Sequence, residues 1–326
     1  MGELVSLRGI NLSFRKKSGG LRSRRIHVLK DIDLTLNTNE ILAVVGESGC
    51  GKTTLGKLVT GLLKPDYGEI VFEGKSVSGF LEKKRSSYSG VQFVQQDSYA
   101  ALNPVRTIYQ SLSAPIKTHN PHMSKRLLNE RIDELMQIIG LWPSDQYLEK
   151  YPHQLSGGQR QRILIARAVS LNPKLIVADE PVSMIDVSLR LSLLSMMADI
   201  NKRLNISFIY ITHDLSTARY IAQNGRLCVM YLGEIVEIGP MEQILTHPRH
   251  PYTQALISSV PVPDPAANND KDVPLKSMDL ASLENRGEGC SFYSRCLYSK
   301  EACTAKIDNR MEGGVLIRCI NLENVP

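Results

Sequence analysis

Residues Gly46-Glu47-Ser48-Gly49-Cys50-Gly51-Lys52-Thr53-Thr54 match the spacing G-x-x-x-x-G-K-[ST] at every fixed position. The types suit one task. Glycines let the backbone curl until successive N–H groups face one anion, and the helix that starts there adds its positive end. Lys52 is the residue to reach the β- and γ-phosphates of a nucleotide, and the Thr53 hydroxyl is the ligand for Mg²⁺. Cys50 fills a variable position and reads as a small side chain, not a redox switch. A second apolar run ends in Asp179-Glu180. Asp179 suits holding Mg²⁺, directly or through water, and Glu180 suits polarising the attacking water as general base. A third ends in Thr212-His213-Asp214, where His213 reads as a sensor beside the γ-phosphate. Ser156-Gly157-Gly158-Gln159, at a helix start, is another anion nest. One nucleotide does not need two nests.

The elements that must carry these groups follow from the hydrophobic pattern. Ile41–Val45, Leu175–Ala178 and Ile206–Ile211 are short continuous apolar runs, the pattern of strands buried on both faces. Three such strands ending in polar groups at one sheet edge make the ligand crevice of an α/β fold with a largely parallel core sheet. The helix after the P-loop takes its apolar face from Leu55, Leu58, Val59 and Leu62. Leu128, Ile132, Leu135, Met136 and Ile139 share one face of a helix with Ser124 as N-cap and Gly140 as terminator. Another helix runs from Arg160 to Val169. Residues 3–14 and 26–36 read as a small antiparallel sheet around a basic loop (Lys16, Lys17, Arg22, Arg24, Arg25), and residues 225–239 read as two strands around Gly233. From residue 261 a polar, proline-bearing linker leads to a small cysteine-bearing tail.

Composition excludes several classes. The chain has 326 residues, 42% of them hydrophobic and 22% charged, which fits a packed core and not wholesale disorder. The net charge is +6 without a dense basic stripe, so no nucleic-acid partner is expected. No run of 18 apolar residues and no basic-then-apolar start occur, which predicts a chain that stays in the cytosol.

Taken together, the P-loop, Leu155–Gln159, Asp179-Glu180 and Thr212-His213-Asp214 resemble the ATP-binding cassette of ABC transporters over residues 3 to about 240. The resemblance implies a P-loop NTPase of α/β class. Its parts are a RecA-like mixed sheet core, an antiparallel β subdomain and an α-helical subdomain at about 97–172, within a nucleotide-binding domain at 1–260. It implies that Ser156, Gly157, Gly158 and Gln159 are the signature motif, which caps the ATP held on the partner's P-loop. Gln96 looks like the Q-loop glutamine, a Mg²⁺ sensor that contacts the transmembrane partner. Asp186 stands at the D-loop aspartate, with Met184-Ile185 where the family usually has Ala-Leu. Phe14 is the candidate for stacking on adenine, with a core phenylalanine at a strand end as the alternative.

Asp97–Pro104, Tyr231–Glu237, His250–Leu256 and Gly289–Cys296 resemble the oligopeptide/dipeptide importer branch. That resemblance implies an ATPase subunit working with a second cassette (itself or a paralogue), two transmembrane permease subunits and an extracytoplasmic solute-binding protein. It would sit on the cytoplasmic face of a prokaryotic plasma membrane and never touch the peptide. Nickel and antimicrobial-peptide uptake systems share much of the pattern. A soluble cassette ATPase acting on nucleic acid or ribosomes is the alternative from another class. The tail, 261–326, resembles the branch's C-terminal extension. Its Cys290, Cys296, Cys303 and Cys319 are four potential thiolate ligands for zinc or an iron–sulfur cluster, or four free thiols. The resemblance favours a [4Fe–4S] cluster.

Overall fold

The computed structural model describes residues 2–17, 23–77, 90–260, 273–277, 283 and 287–321. Among them the strands run β1 (Glu3–Lys17), β2 (Ser23–Asn37), β3 (Ile41–Val45), β4 (Tyr67–Phe72), β5 (Lys75–Ser76), β6 (Val91–Val94), β7 (Leu175–Asp179), β8 (Ser207–Ile211), β9 (Arg226–Tyr231), β10 (Glu234–Pro240), β11 (Arg310–Glu312) and β12 (Val315–Ile317). The chain forms two compact units. One comprises Met1–Gly2, Asn37–Glu40 and Gly79–Ile211; the other comprises Glu3–Leu36, Ile41–Ser78 and Thr212–Pro326.

In the first unit β8, β7 and β6 are parallel neighbours, Val177 facing Ile209 on one side and Phe93 on the other. Every residue of β7 and β8 is buried, which is why both read as unbroken apolar runs rather than alternating ones. Between β6 and β7 the described chain is helical. The helix Lys125–Ile138 begins as the pattern predicts, with Ser124 Oγ accepting the Leu127 N–H at 3.3 Å. It stops at Gly140, which takes φ 68°. The helix Gly157–Val169 buries Ile163, Leu164, Ile165 and Val169.

In the second unit β2, β1, β4 and β5 form a four-stranded sheet, and β3 lies parallel to β9. Antiparallel β10, β12 and β11 extend that second set. Two expectations change here. The helix after the P-loop, Lys52–Val59, ends before Leu62, which is 54% exposed. Gly61 takes φ 69°, and the Gly61 and Leu62 amides donate back to Leu58 and Lys57. This closes the helix one turn earlier than the apolar spacing suggested. The basic segment is also partly strand. β1 continues to Lys17 and β2 begins at Ser23, so Arg24 and Arg25 lie on a strand, and Arg25 faces Asp66 at 3.9 Å. The predicted linker at 261–272 lies outside the described residues. Among the described residues no helix is long and apolar enough to cross a membrane.

Candidate nucleotide-binding and hydrolysis site

The P-loop leaves the buried strand β3 and turns into the helix Lys52–Val59. Gly46 is required by space: a Cβ there would lie 2.1 Å from the Met230 carbonyl oxygen and 2.9 Å from Cys50 Sγ. Gly51, at φ 104°, starts the helix in a conformation that L side chains rarely adopt. Ser48, Gly49 and Thr53 are exposed at the mouth of the loop, while Lys52 is buried. Lys52 Nζ donates to the carbonyls of Gly46, at 2.7 Å, and Glu47, at 2.9 Å. The third donor of the ammonium faces Cys50 Sγ at 3.9 Å, a long contact to a weak acceptor that a phosphate oxygen could displace. Burial raises the Cys50 thiol pKa, against the opposing pull of Lys52, so Cys50 stays a neutral packing group. The Thr212 amide donates to Val44 of β3 at 3.0 Å, which sets the exposed His213 one residue beyond the P-loop strand's neighbour. Asp214 caps the next helix by accepting from the Ser216 N–H at 2.8 Å. Phe14 lies on β1, 42% exposed, and is not a core residue.

In the other unit Asp179 closes β7 and is buried. Glu180 follows at φ 45°, with its amide donating to Ile211 at 2.8 Å. A non-glycine residue in that region costs about 1–2 kcal/mol, the kind of strain that gathers at functional positions. The structure brings the expected Gln96 onto it: Gln96 Nε2 donates to Glu180 Oε2 at 3.0 Å and to Ser183 Oγ at 3.3 Å. Ser183 in turn donates to the Glu180 carbonyl at 3.0 Å. The Glu180 carboxylate is therefore oriented by the Gln96 amide and its backbone by the Ser183 hydroxyl, and the Gln96 amide oxygen is left for a cation.

Ser156 caps the helix Gly157–Val169 in a capping box, its amide donating to Gln159 Oε1 at 2.9 Å and its Oγ accepting from Gln159 N at 3.3 Å. That leaves the exposed Ser156 hydroxyl proton for an anion. Arg160, buried, donates to the Leu155 carbonyl and stacks on Tyr99, 3.5 Å from the ring centroid. Gly157 passes close to the 183–186 turn: a Cβ there would lie 3.4 Å from the Met184 oxygen. Asp186 begins the helix Val187–Leu204 and is exposed beside Met184, Val187 and Leu191, which are exposed too.

Ser183, Tyr231, Tyr252, Arg160 and Arg295 were not singled out as functional from sequence. The Glu47 amide donates to Tyr252 Oη at 3.0 Å, and Tyr252 and Tyr231 pack with centroids 4.5 Å apart. The stretches 231–237 and 250–256, which carried only a resemblance, thus act physically as support for the P-loop.

The tail cysteines are all free; Cys296, Cys303 and Cys319 are buried and Cys290 is partly so. The thiols of Cys290, Cys296 and Cys319 accept backbone N–H bonds from Phe292, Tyr298 and Asn321, each two residues on. Burial first, with the neighbouring cysteines adding to it, pushes Cys290 to about 12 and Cys296 to about 11. Among the described residues no three His, Cys, Asp or Glu side chains form a group that could hold a metal ion. The ligand set expected at the four cysteines is therefore not assembled. Thiolates brought to a common centre would repel one another, so closing the set requires a cation.

The family model described as "ABC transporter" matches residues 29–183, and that described as "Oligopeptide/dipeptide transporter, C-terminal region" matches residues 236–303. The oligopeptide transport ATP-binding protein AppF of Bacillus subtilis is 40% identical over 309 residues, covering 93% of this chain and 92% of that protein. The dipeptide transport ATP-binding protein DppF of Escherichia coli is 38% identical over 311 residues, covering 94% and 91%. Among solved structures, the post-hydrolysis dimer of the ATP-binding cassette MJ0796 bound to ADP and Pi is similar with TM-score 0.63 and 25% identity, over 73% of this chain and 99% of that one.

Proposed function

This chain belongs to the ABC transporter family, among its oligopeptide and dipeptide transport ATP-binding proteins, and from that premise we propose how its residues serve an ATP-binding and hydrolysing importer subunit. The observation that carries the reading is the P-loop, in which Gly46 and Gly51 permit the curl and a buried Lys52 spans it, its third donor on no acceptor stronger than Cys50 Sγ. Residues Gly46 to Thr54 hold the triphosphate, Lys52 reaches the β- and γ-phosphates, and Phe14 offers its exposed face to adenine. Thr53, Gln96 and Asp179 supply hard oxygen donors, a set that suits Mg²⁺. When bound, the ion neutralises phosphate charge.

Glu180 takes a proton from water as the water oxygen bonds to the γ-phosphorus. The bond from that phosphorus to the bridging oxygen breaks, and ADP leaves with the electron pair. Gln96 and Ser183 hold Glu180 for that step, and His213 contacts the γ-phosphate. Ser156, Gly157, Gly158 and Gln159 form the second nest, which serves the ATP on a partner cassette, and Asp186 lies at the same seam. The exposed Met184, Val187 and Leu191 beside Asp186 support a subunit face there. A cleft of about 240 Å³ bordered by Gln95, Asn103, Arg106, Ser111, Leu164 and Arg167 suits an inserted segment of a permease subunit. The chain would then be peripheral to the cytoplasmic face of the membrane, with the solute-binding protein on the other side.

For the tail, four thiols in one short segment, with backbone N–H groups aimed at three of them, suit a soft metal centre if they close on it as protons are displaced. Cys290, Cys296, Cys303 and Cys319 would hold a [4Fe–4S] cluster, which when bound would cross-link a segment with little core of its own.

The test is transport. The chain, co-purified with its permease subunits and placed in vesicles with the solute-binding protein, should hydrolyse ATP and accumulate a labelled oligopeptide. ATP-dependent uptake of nickel but of no peptide would overturn the peptide assignment.

A further inference from the structure

We propose that Arg295, carried by the C-terminal cysteine segment, is a positioning residue for the phosphate loop; this rests on the reading of that loop as the ATP site. Glu47 is the second residue of the loop, and it is gripped at three points. Its amide donates to Tyr252 Oη at 3.0 Å, and its carbonyl accepts from Lys52 Nζ at 2.9 Å. Its carboxylate accepts from Arg295 Nη1, with 2.8 Å to Oε1 and 3.1 Å to Oε2. Arg295 comes from 248 residues further along the chain, and its side chain is only 7% exposed. The same Nη1 donates to Tyr231 Oη at 3.3 Å, and the guanidinium lies 5.8 Å from the ring centroids of Tyr231 and Phe292.

A second tether holds the other end of the loop. The Cys50 carbonyl accepts from the Gly233 amide at 2.8 Å. Next to Gly233 is Glu234, 1% exposed, which receives Ser291 Oγ and faces Lys30 at 3.3 Å and Arg318 at 3.4 Å. Ser291, Arg295 and Arg318 all belong to the tail. The segment that carries the four cysteines therefore braces both ends of the phosphate loop.

The charge arithmetic gives Arg295 its role. A carboxylate on the residue just before the exposed Ser48-Gly49 pair repels a triphosphate unless it is neutralised. Arg295 neutralises it and fixes its direction, while the Glu47 carbonyl is held by the Cys50 amide at 3.2 Å and by Lys52. Without the guanidinium, Glu47 is left with an unpaired charge beside the phosphates.

The experiment uses the full-length chain, titrated with trinitrophenyl-ATP and Mg²⁺, with steady-state ATPase kinetics alongside. Arg295→Gln should weaken nucleotide binding about tenfold or more, the scale of a lost charge-assisted hydrogen bond. KM for ATP should rise more than kcat falls. Adding Glu47→Gln to Arg295→Gln should restore most of the affinity, because it removes the charge that was left unpaired, and a purely structural role predicts no such recovery. Should Arg295→Gln fail to give a cooperative melt, Arg295→Lys serves in its place, with a smaller loss and the same recovery. Wild-type affinity in the Arg295 variant, or no recovery in the double variant, overturns the inference. Failure of the wild-type chain to bind the probe, or equal binding by Lys52→Ala, instead overturns the reading of the loop as the ATP site.

Discussion

His250 should make the second unit acid-sensitive through a single proton. It is buried, caps the helix Pro251–Ser258, and uses Nδ1 to accept the Tyr252 N–H at 3.1 Å, so its ring is neutral with the proton on Nε2. Burial holds its pKa down at about 3, against an ordinary 6.5. Glu237 faces it, accepting the His250 amide at 3.0 Å and the Arg249 amide at 2.9 Å, and the Phe292 ring lies 6.0 Å away.

Between those two pKa values the unfolded chain binds the proton and the folded chain does not. Stability is therefore full above pH 6.5 and falls as the pH drops towards 3. At pH 5 the loss from this group is about 2 kcal/mol, or about 3 °C in melting midpoint for a chain of this size. Burial raises the Glu237 carboxyl pKa, an effect of opposite sign, since its folded form loses stability as the pH rises through that shifted value. Comparison with His250→Asn cancels it, because asparagine keeps an N-cap acceptor and does not titrate. Thermal melts of both proteins at pH 7.5 and 5 should show the wild type losing about 2 kcal/mol more than the variant. Parallel losses would refute a buried neutral His250. Because Tyr252 on this helix holds the Glu47 amide, the same acid step should weaken ATP binding.

Further outcomes follow from the same geometry. Glu180→Gln should bind ATP normally while hydrolysis falls about 10²–10⁴-fold, measured by phosphate release; undiminished turnover would remove Glu180 as the base. Gly46→Ala must move the loop off the Met230 carbonyl by about an ångström, and ATPase activity should fall on the order of 100-fold without loss of the fold by circular dichroism. Anaerobic purification should give a brown protein containing iron and labile sulfide. A colourless anaerobic preparation containing zinc would reject the cluster, and Cys296→Ser should lower the metal content.

Much of the site was legible because local rules fix it. The P-loop needs its glycines and lysine at set spacing, and β3, β7 and β8 read as buried strands because both faces are covered. Ser124 and Gly140 marked the ends of the helix Lys125–Ile138 through capping chemistry. Leu62 misled because apolar spacing carries no signal for a glycine that closes a helix early. Arg295 was invisible because its partner lies 248 residues away, and a lone arginine beside a cysteine points to nothing without the fold. The capping box of Ser156 and Gln159 was also missed, although Ser-x-x-Gln is its local signature, because both residues had been assigned to the nucleotide.

The central claim is that Gly46–Thr53 of one cassette and Leu155–Gln159 of another close on the same ATP. It is tested by cysteine cross-linking in the assembled importer, with Ser48→Cys in this chain and a cysteine at the signature serine of the cassette that copurifies with it (Ser156→Cys where that is a second copy). A covalent species with the mass of two cassettes should form with ATP and Mg²⁺ on a Glu180→Gln background and disappear without nucleotide. Cross-links only within one chain, or none with ATP bound, would contradict the account.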